Sequence, residues 1–193
     1  AHNRDRLGLG RADVPLTPLG RLQAEAVGTR LGAESINRIF ASPLSRAYET
    51  ANAIAAFQDA PVELRHELIE MDVGVTEGMT FPEMRKQHPG FLELWASDKS
   101  ADAVMPSGES LRDVAGRLNP FVDELLTLPD AAIAIVSHNF VIKLLFCRLL
   151  GLELTHFREI TVDLASLTAI TIHSGRVNVR VLNDCCHLRL LEP

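Results

Sequence analysis

Twice in this chain a short apolar run, too short for a stable helix, ends in polar residues and gives way at once to helical periodicity. Residues 36–41 form one such run, followed by Ser42-Pro43-Leu44-Ser45-Arg46. Residues 131–137 form the other, followed by His138-Asn139. Buried strands that lead directly into helices are the signature of a parallel sheet, because parallel neighbours need a crossover connection. The rest of the chain keeps the same alternation. Thr17-Pro18 reads as an N-cap with proline in the first turn, and Leu22, Ala26, Val27 and Leu31 mark one face of a helix that should stop at Gly32. Ser42-Pro43 repeats the cap-and-proline signal for a second helix with Ala47, Ala51, Ile54 and Ala55 inward. Residues 61–68 contain a plausible third strand. Ser110 opens a long helix with Leu111, Val114, Ala115, Leu118, Val122 and Leu125 on one face, which Pro120 should kink. Residues 131–137 read as a fully buried strand, and residues 140–150, apolar on nearly all sides, as a deeply packed helix. Residues 166–173 and 177–182, joined by Ser174-Gly175-Arg176, read as two final strands.

This order implies an α/β fold: a three-layer sandwich with a mostly parallel central sheet and helices on both faces. At 193 residues the chain can bury one ample core, so a single domain over residues 1–193 is expected. Residues 74–107 are broken by Pro82, Pro89, Gly90 and Pro106 and read as an excursion over one end of the sheet.

The formal charge of -6 leaves no basic stripe for a nucleic-acid backbone, but a small phosphorylated ligand needs only a few local cations. The longest apolar stretch is interrupted by Lys143 and Arg148, so no membrane span is expected. Three cysteines, Cys147, Cys185 and Cys186, without a spaced framework point to reduced thiols and a cytoplasmic setting. Cys185, Cys186 and His187 are adjacent and do not suit a common metal centre, so no metal and no cofactor are expected. Gly8-Leu9-Gly10 with Asp13 carries only part of a dinucleotide fingerprint, and no P-loop or zinc-protease motif occurs.

Open α/β sheets bind ligands beyond the carboxyl ends of their parallel strands. Arg46, in the first turn after one strand, and His138, at the end of another, should therefore face a common crevice. Both stand beside helix N-termini, whose free N–H groups favour phosphate. Each also has a plain reading: an Arg in a first turn is often a solvated side chain, and a His after a strand is often a hydrogen-bonded edge residue. Glu70, in a loop shared with Asp72 and Glu77, reads on its own as an exposed acid.

The ordered motifs carry a resemblance. Asp13-Val14-Pro15-Leu16-Thr17-Pro18-Leu19-Gly20 with Gln23-Ala24, then Ser42-Pro43-Leu44-Ser45-Arg46-Ala47 with Thr50-Ala51, then Leu68-Ile69-Glu70 with Gly74 and Glu77-Gly78, appear in sequence. Gly108-Glu109-Ser110 with Arg117, Val136-Ser137-His138, and Asn183-Asp184 with His187-Leu188 follow. Together they resemble the histidine phosphatase superfamily, in the branch that holds phosphoglycerate mutases and small-metabolite phosphatases. The resemblance implies a metal-independent phosphomonoesterase acting on a small phosphorylated metabolite through a phosphohistidine. It implies that Arg46, His138 and Asn3 hold the phosphoryl oxygens, helped by the backbone near Gly10 and at Asn139, and that Glu70 is the general acid and base. The family's Arg-His-Gly motif, four residues ahead of an Asn that matches Asn3, and the first strand that carries it are expected ahead of Ala1. Asn139 stands where the family usually has Gly. Two alternatives stay open: a phosphoglycerate mutase, or a non-catalytic phosphate-binding relative if no nucleophilic histidine precedes Ala1. The short segment 76–107, with only Arg85, Lys86 and Lys99 as cations, favours hydrolysis over a mutase. The substrate and the oligomeric state are not fixed by the sequence; a homodimer is left open.

Overall fold

The computed structural model describes residues 7–128, 132–189 and 191. Helix α1 (Pro18–Leu31) begins where Thr17 accepts a hydrogen bond from Gly20 N at 3.0 Å and ends at Gly32. Strand β1 (Arg38–Ala41) follows, then α2 (Ser45–Ala55) and β2 (Val62–Leu64). Residues 81–87 and 89–96 form two short helices, α3 (Phe81–Gln87) and α4 (Pro89–Ala96), the first held by a Thr80–Glu83 capping box. Helix α5 (Leu111–Thr127) starts at a second capping box, Ser110 with Asp113, and continues unbroken through Pro120. Strand β3 (Ile133–Val136) leads into α6 (Asn139–Leu150), which stops at Gly151 with φ +67°. Strands β4 (Leu167–His173) and β5 (Arg176–Asp184) form a hairpin, and a 3-10 turn at Cys186–Leu188 follows it. The hairpin's two-residue loop, Ser174-Gly175, has φ of 48° and 74°, the doubly positive turn that matches the natural strand twist.

The sheet order is β2-β1-β3, all parallel, and β4 and β5 form a separate antiparallel pair. Alternation along β1 divides the core. Ile39 and Ala41 point toward Val27, Leu31, Ala51 and Ile54 of α1 and α2. Phe40 points the other way, into Val114, Leu118, Phe121, Val141 and Leu144 of α5 and α6. Phe40 and Phe121 meet edge to face with ring centroids 5.4 Å apart. Helices thus cover both faces of the parallel sheet, giving the three layers. On the first face, α1 and α2 approach closely because position 28 is glycine: a Cβ there would stand 2.3 Å from the Ala53 carbonyl oxygen.

Two sequence expectations change, and a third is narrowed. Helix α2 begins at Ser45, not at Ser42-Pro43, and Leu44 occupies its cap position without a side-chain bond. The carboxylate of Asp13 supplies that cap from outside, accepting from Ser45 N at 2.7 Å and from Ser45 Oγ at 2.9 Å. The strand expected within residues 61–68 is Val62–Leu64, followed by a 3-10 turn, His66–Leu68. Strand β3 is half-buried at all four positions instead of fully buried, since among the described residues it is paired along one side only; Ala131, its expected start, lies outside the described residues.

Candidate active site

The register of β1 and β3 sets Ala41 opposite Val136, so both strands release their chains at the same sheet edge. Ser42 N continues the ladder one step further, bonding Val136 O at 3.0 Å. The next residues then meet: His138 Nε2 lies 2.7 Å from Ser42 Oγ, and both side chains are buried. The Ser42 hydroxyl accepts from Leu44 N at 3.3 Å, which leaves its own O–H for the imidazole.

Arg46 reaches over this edge from the first turn of α2. Its NH1 donates to Ala12 O at 2.8 Å and its NH2 to Gly10 O at 2.7 Å. The same short segment is gripped from its other side by Glu77, whose two oxygens accept from Gly10 N at 2.6 Å and Ala12 N at 3.0 Å. Gly10 is needed there: a Cβ would stand 2.7 Å from Val73 Cγ2 and 2.9 Å from Met71 O. Two of the Arg46 N–H donors are thereby fixed, and the others remain uncommitted among the described residues.

Glu70 follows the 3-10 turn at His66–Leu68 and is only 4% exposed. Its Oε1 accepts from Met71 N at 2.8 Å, and its Oε2 lies 3.4 Å from Phe140 N in the first turn of α6. Ser137 Oγ donates to Leu68 O at 2.7 Å and so ties the end of β3 to the Glu70 loop.

Burial dominates the electrostatics. It pushes the Glu70 carboxyl up to about 7, against the opposing pull of the Met71 and Phe140 amides and of Arg46 and Arg117. It pulls the His138 imidazole down to about 3, and here Arg46 and Arg117 act in the same direction. Near neutral pH the site therefore holds a neutral imidazole, a carboxyl that is partly protonated and partly ionised, and the guanidiniums of Arg46 and Arg117. That combination suits an oxyanion that must also receive a proton.

Aromatic contacts tie α4 to the first turn of α6. Trp95 of α4 packs on Phe91 at 5.5 Å, Phe140 at 5.9 Å and Phe157 at 5.3 Å between ring centroids. The Phe140 amide, in the same first turn of α6, faces Glu70. Phe81, in α3, is 55% exposed and takes no part in these aromatic contacts.

The structure thus brings together Arg46, His138 and Glu70, and it excludes the reading of Glu70 as an exposed acid. Asn139 is the first residue of α6 and is exposed at the same helix start. The amide of Gly10 donates to Glu77, so Gly10 enters the site through the carbonyl that holds Arg46. Asn3 lies outside the described residues. Sequence reasoning had no role for Ser42 beyond a helix cap, and none for Arg117 beyond a motif position. Ser42 had a usable signal, since the residue directly after a buried strand sits at the ligand edge as surely as His138 does.

Comparison with known proteins places this geometry in a family. The family model for the histidine phosphatase superfamily (branch 1) matches residues 1–185. Phosphoserine phosphatase 1 of Hydrogenobacter thermophilus is 31% identical over 180 residues, covering 93% of this chain and 85% of that one. The crystal structure of the alpha-ribazole phosphatase from Shigella flexneri superposes with a TM-score of 0.83 at 27% identity, covering 94% of this chain and 90% of that one. A mycobacterial glucosyl-3-phosphoglycerate phosphatase in complex with VO3 gives a TM-score of 0.82 at 30% identity, with 94% and 92% covered. With the ordered motifs, the fold and the profile in agreement over almost its whole length, the chain belongs to the histidine phosphatase superfamily, branch 1.

Proposed function

We propose that the protein is a metal-independent phosphomonoesterase acting on a small phosphorylated metabolite through a phosphohistidine. The observation that carries the reading is the 2.7 Å bond between Ser42 and His138, which joins the ends of two parallel strands at one edge, with Arg46 and Glu70 beside it. The phosphatase names of the relatives support the same class.

The nucleophile in this reading is the histidine of the family's Arg-His-Gly motif, which the family spacing sets ahead of Asn3. Its ring nitrogen attacks phosphorus, the phosphorus–oxygen bond to the alcohol breaks, and the leaving alkoxide takes the proton of Glu70. The Glu70 carboxylate then removes a proton from water as that water attacks phosphorus and the phosphorus–nitrogen bond breaks, releasing inorganic phosphate. Arg46, His138 and Asn3 hold the phosphoryl oxygens, and the amides at the start of α6, Asn139 among them, add donors without a charge penalty. A carboxyl near 7 is poised for both halves of that cycle, since it is protonated and ionised in comparable amounts at neutral pH.

The test is release of inorganic phosphate from a panel of phosphorylated metabolites, with and without chelator and with vanadate, alongside a coupled mutase assay on 3-phosphoglycerate. Hydrolysis that survives chelator and is blocked by vanadate is expected. Activity abolished by chelator, or phosphate moved within 3-phosphoglycerate without net release, would overturn the reading.

A further inference from the structure

Glu109 of the Gly108-Glu109-Ser110 motif and Arg117 have no part in the chemistry above, yet the hydrogen bonds they make lead to one residue that does. Glu109 Oε1 accepts from Arg11 NH2 at 2.8 Å and from Arg117 Nε at 3.3 Å. Its Oε2 accepts from Asp72 N at 2.9 Å, and its own N–H donates to Asp72 O at 2.9 Å. Both guanidiniums then pass on to the same main-chain oxygen: Arg11 Nε reaches Glu70 O at 3.1 Å and Arg117 NH2 reaches it at 3.2 Å. Arg117 NH1 also bonds Glu67 O, one turn earlier. The loop is fitted tightly as well, for a Cβ at Gly108 would stand 2.3 Å from Asp72 O.

We infer that Glu109, with the two arginines it bridges, is a positioning residue for Glu70. The inference rests on the reading of Glu70 as the acid and base. Two guanidiniums on one carbonyl fix the main chain of Glu70, and so fix where its carboxyl meets the Met71 and Phe140 amides. The arrangement also sets charge. Arg117 and Glu109 side chains are each 20% exposed, and Arg11 is 35% exposed, so solvent screens them incompletely. Unopposed, the guanidiniums would favour the ionised form of Glu70 and strip it of its proton at neutral pH. Glu109 opposes them, and Asp72, 3.7 Å from Arg11 NH1, adds to that opposition. The other charged groups facing Glu70 are Arg46 from α2 and Lys143 from α6, and His138, at the cap position of α6, is the titratable group two residues before the Phe140 amide that meets Glu70. Lys143 is held below its ordinary value by burial, with Glu70 acting against that.

A charge-setting role makes a prediction that a purely structural one does not: neutralising Glu109 and neutralising Arg117 must move Glu70 in opposite directions. The measurement is a carbon-13 NMR titration of glutamate carboxyls in the full chain, with the Glu70 signal identified by its loss in Glu70→Gln. Glu109→Gln should lower the Glu70 midpoint by about one pH unit, and Arg117→Gln should raise it by a comparable amount. The high-pH limb of the turnover profile should follow each shift. Arg117→Lys, which keeps the charge without the fork, should stay nearer to the parent than Arg117→Gln. If Arg117→Gln does not fold, Arg11→Gln, at the more exposed arm, carries the same upward sign. An unmoved midpoint, or shifts of the same sign in the Glu109 and arginine variants, would overturn the inference. Parent-like turnover in Glu70→Gln would overturn the catalytic reading instead, and the two failures are read from different instruments.

Discussion

Replacing Glu70 by Gln should make the folded protein less sensitive to alkaline pH, because the buried carboxyl that destabilises it there is gone. The Glu70 carboxyl is raised by burial from its ordinary 4.5 to about 7. Below 4.5 it is protonated whether the chain is folded or not, and its contribution to stability is fully present. As pH rises the unfolded chain ionises first, and the contribution is lost by the time pH has passed through about 7. At about 1.36 kcal/mol for each pH unit, the interval from 4.5 to about 7 amounts to roughly 3 kcal/mol. Gln keeps the shape and can still accept from Met71 N, while its NH2 group opposes the Phe140 amide. That mismatch adds a penalty independent of pH, so the slope and not the absolute difference is the quantity to compare. The His138 titration occurs in both proteins and cancels. Urea unfolding at half-unit intervals from pH 4.5 to 9 should therefore show the parent losing roughly 3 kcal/mol relative to Glu70→Gln across that range. Parallel stability curves would refute the argument that burial sets the Glu70 proton.

Ser42→Ala removes the buried partner of His138 and should cost about 1–3 kcal/mol in urea unfolding, with loss of vanadate affinity alongside. Gly28→Ala should cost about 1–3 kcal/mol, because its Cβ would meet the Ala53 carbonyl at 2.3 Å and force α1 from α2. Gly116→Ala, in α5 with nothing within 4 Å of the added carbon, should stabilise by about 0.5–1 kcal/mol, and thermal melts of the pair would show the contrast. Binding of a phosphate analogue should draw a proton onto His138. Raising its midpoint from about 3 to 7 needs about 5 kcal/mol, and a dianion about 4 Å away at an effective dielectric near 20 offers roughly 8 kcal/mol. Calorimetric titration with vanadate in buffers of different ionisation enthalpy should show that uptake, and a binding enthalpy indifferent to buffer would contradict it.

The parts of this fold that were legible in the sequence are those governed by local rules. Thr17-Pro18 and Ser110 start helices because their hydroxyls can reach amides two or three residues ahead, and Ser174-Gly175 turns the last hairpin because both residues tolerate positive φ. Ser42-Pro43 obeyed the same local rule and misled. The Ser42 side chain was already engaged by His138, 96 residues on, and the cap of α2 came from Asp13, 32 residues before Ser45. A side chain that can serve as a cap can equally serve a distant partner, and nothing in the neighbouring residues distinguishes the two.

Arg46 and His138 could be placed at one edge because parallel strands feeding helices leave few other arrangements. Glu70 could not be placed that way, since its burial is a property of the fold and not of its neighbours Ile69 and Met71. The consequence is chemical. Had Glu70 been the exposed acid its sequence surroundings suggest, it would be ionised at neutral pH and unable to supply a proton. Enclosure between the 3-10 turn at His66–Leu68 and the first turn of α6 reverses that, and the same enclosure keeps His138 neutral until an anion arrives. The two groups are displaced in opposite directions by one cause, because desolvation penalises whichever form is charged. The arriving dianion then reverses the preference of the imidazole and holds the proton on the carboxyl, so a substrate would complete the protonation pattern that its own cleavage requires.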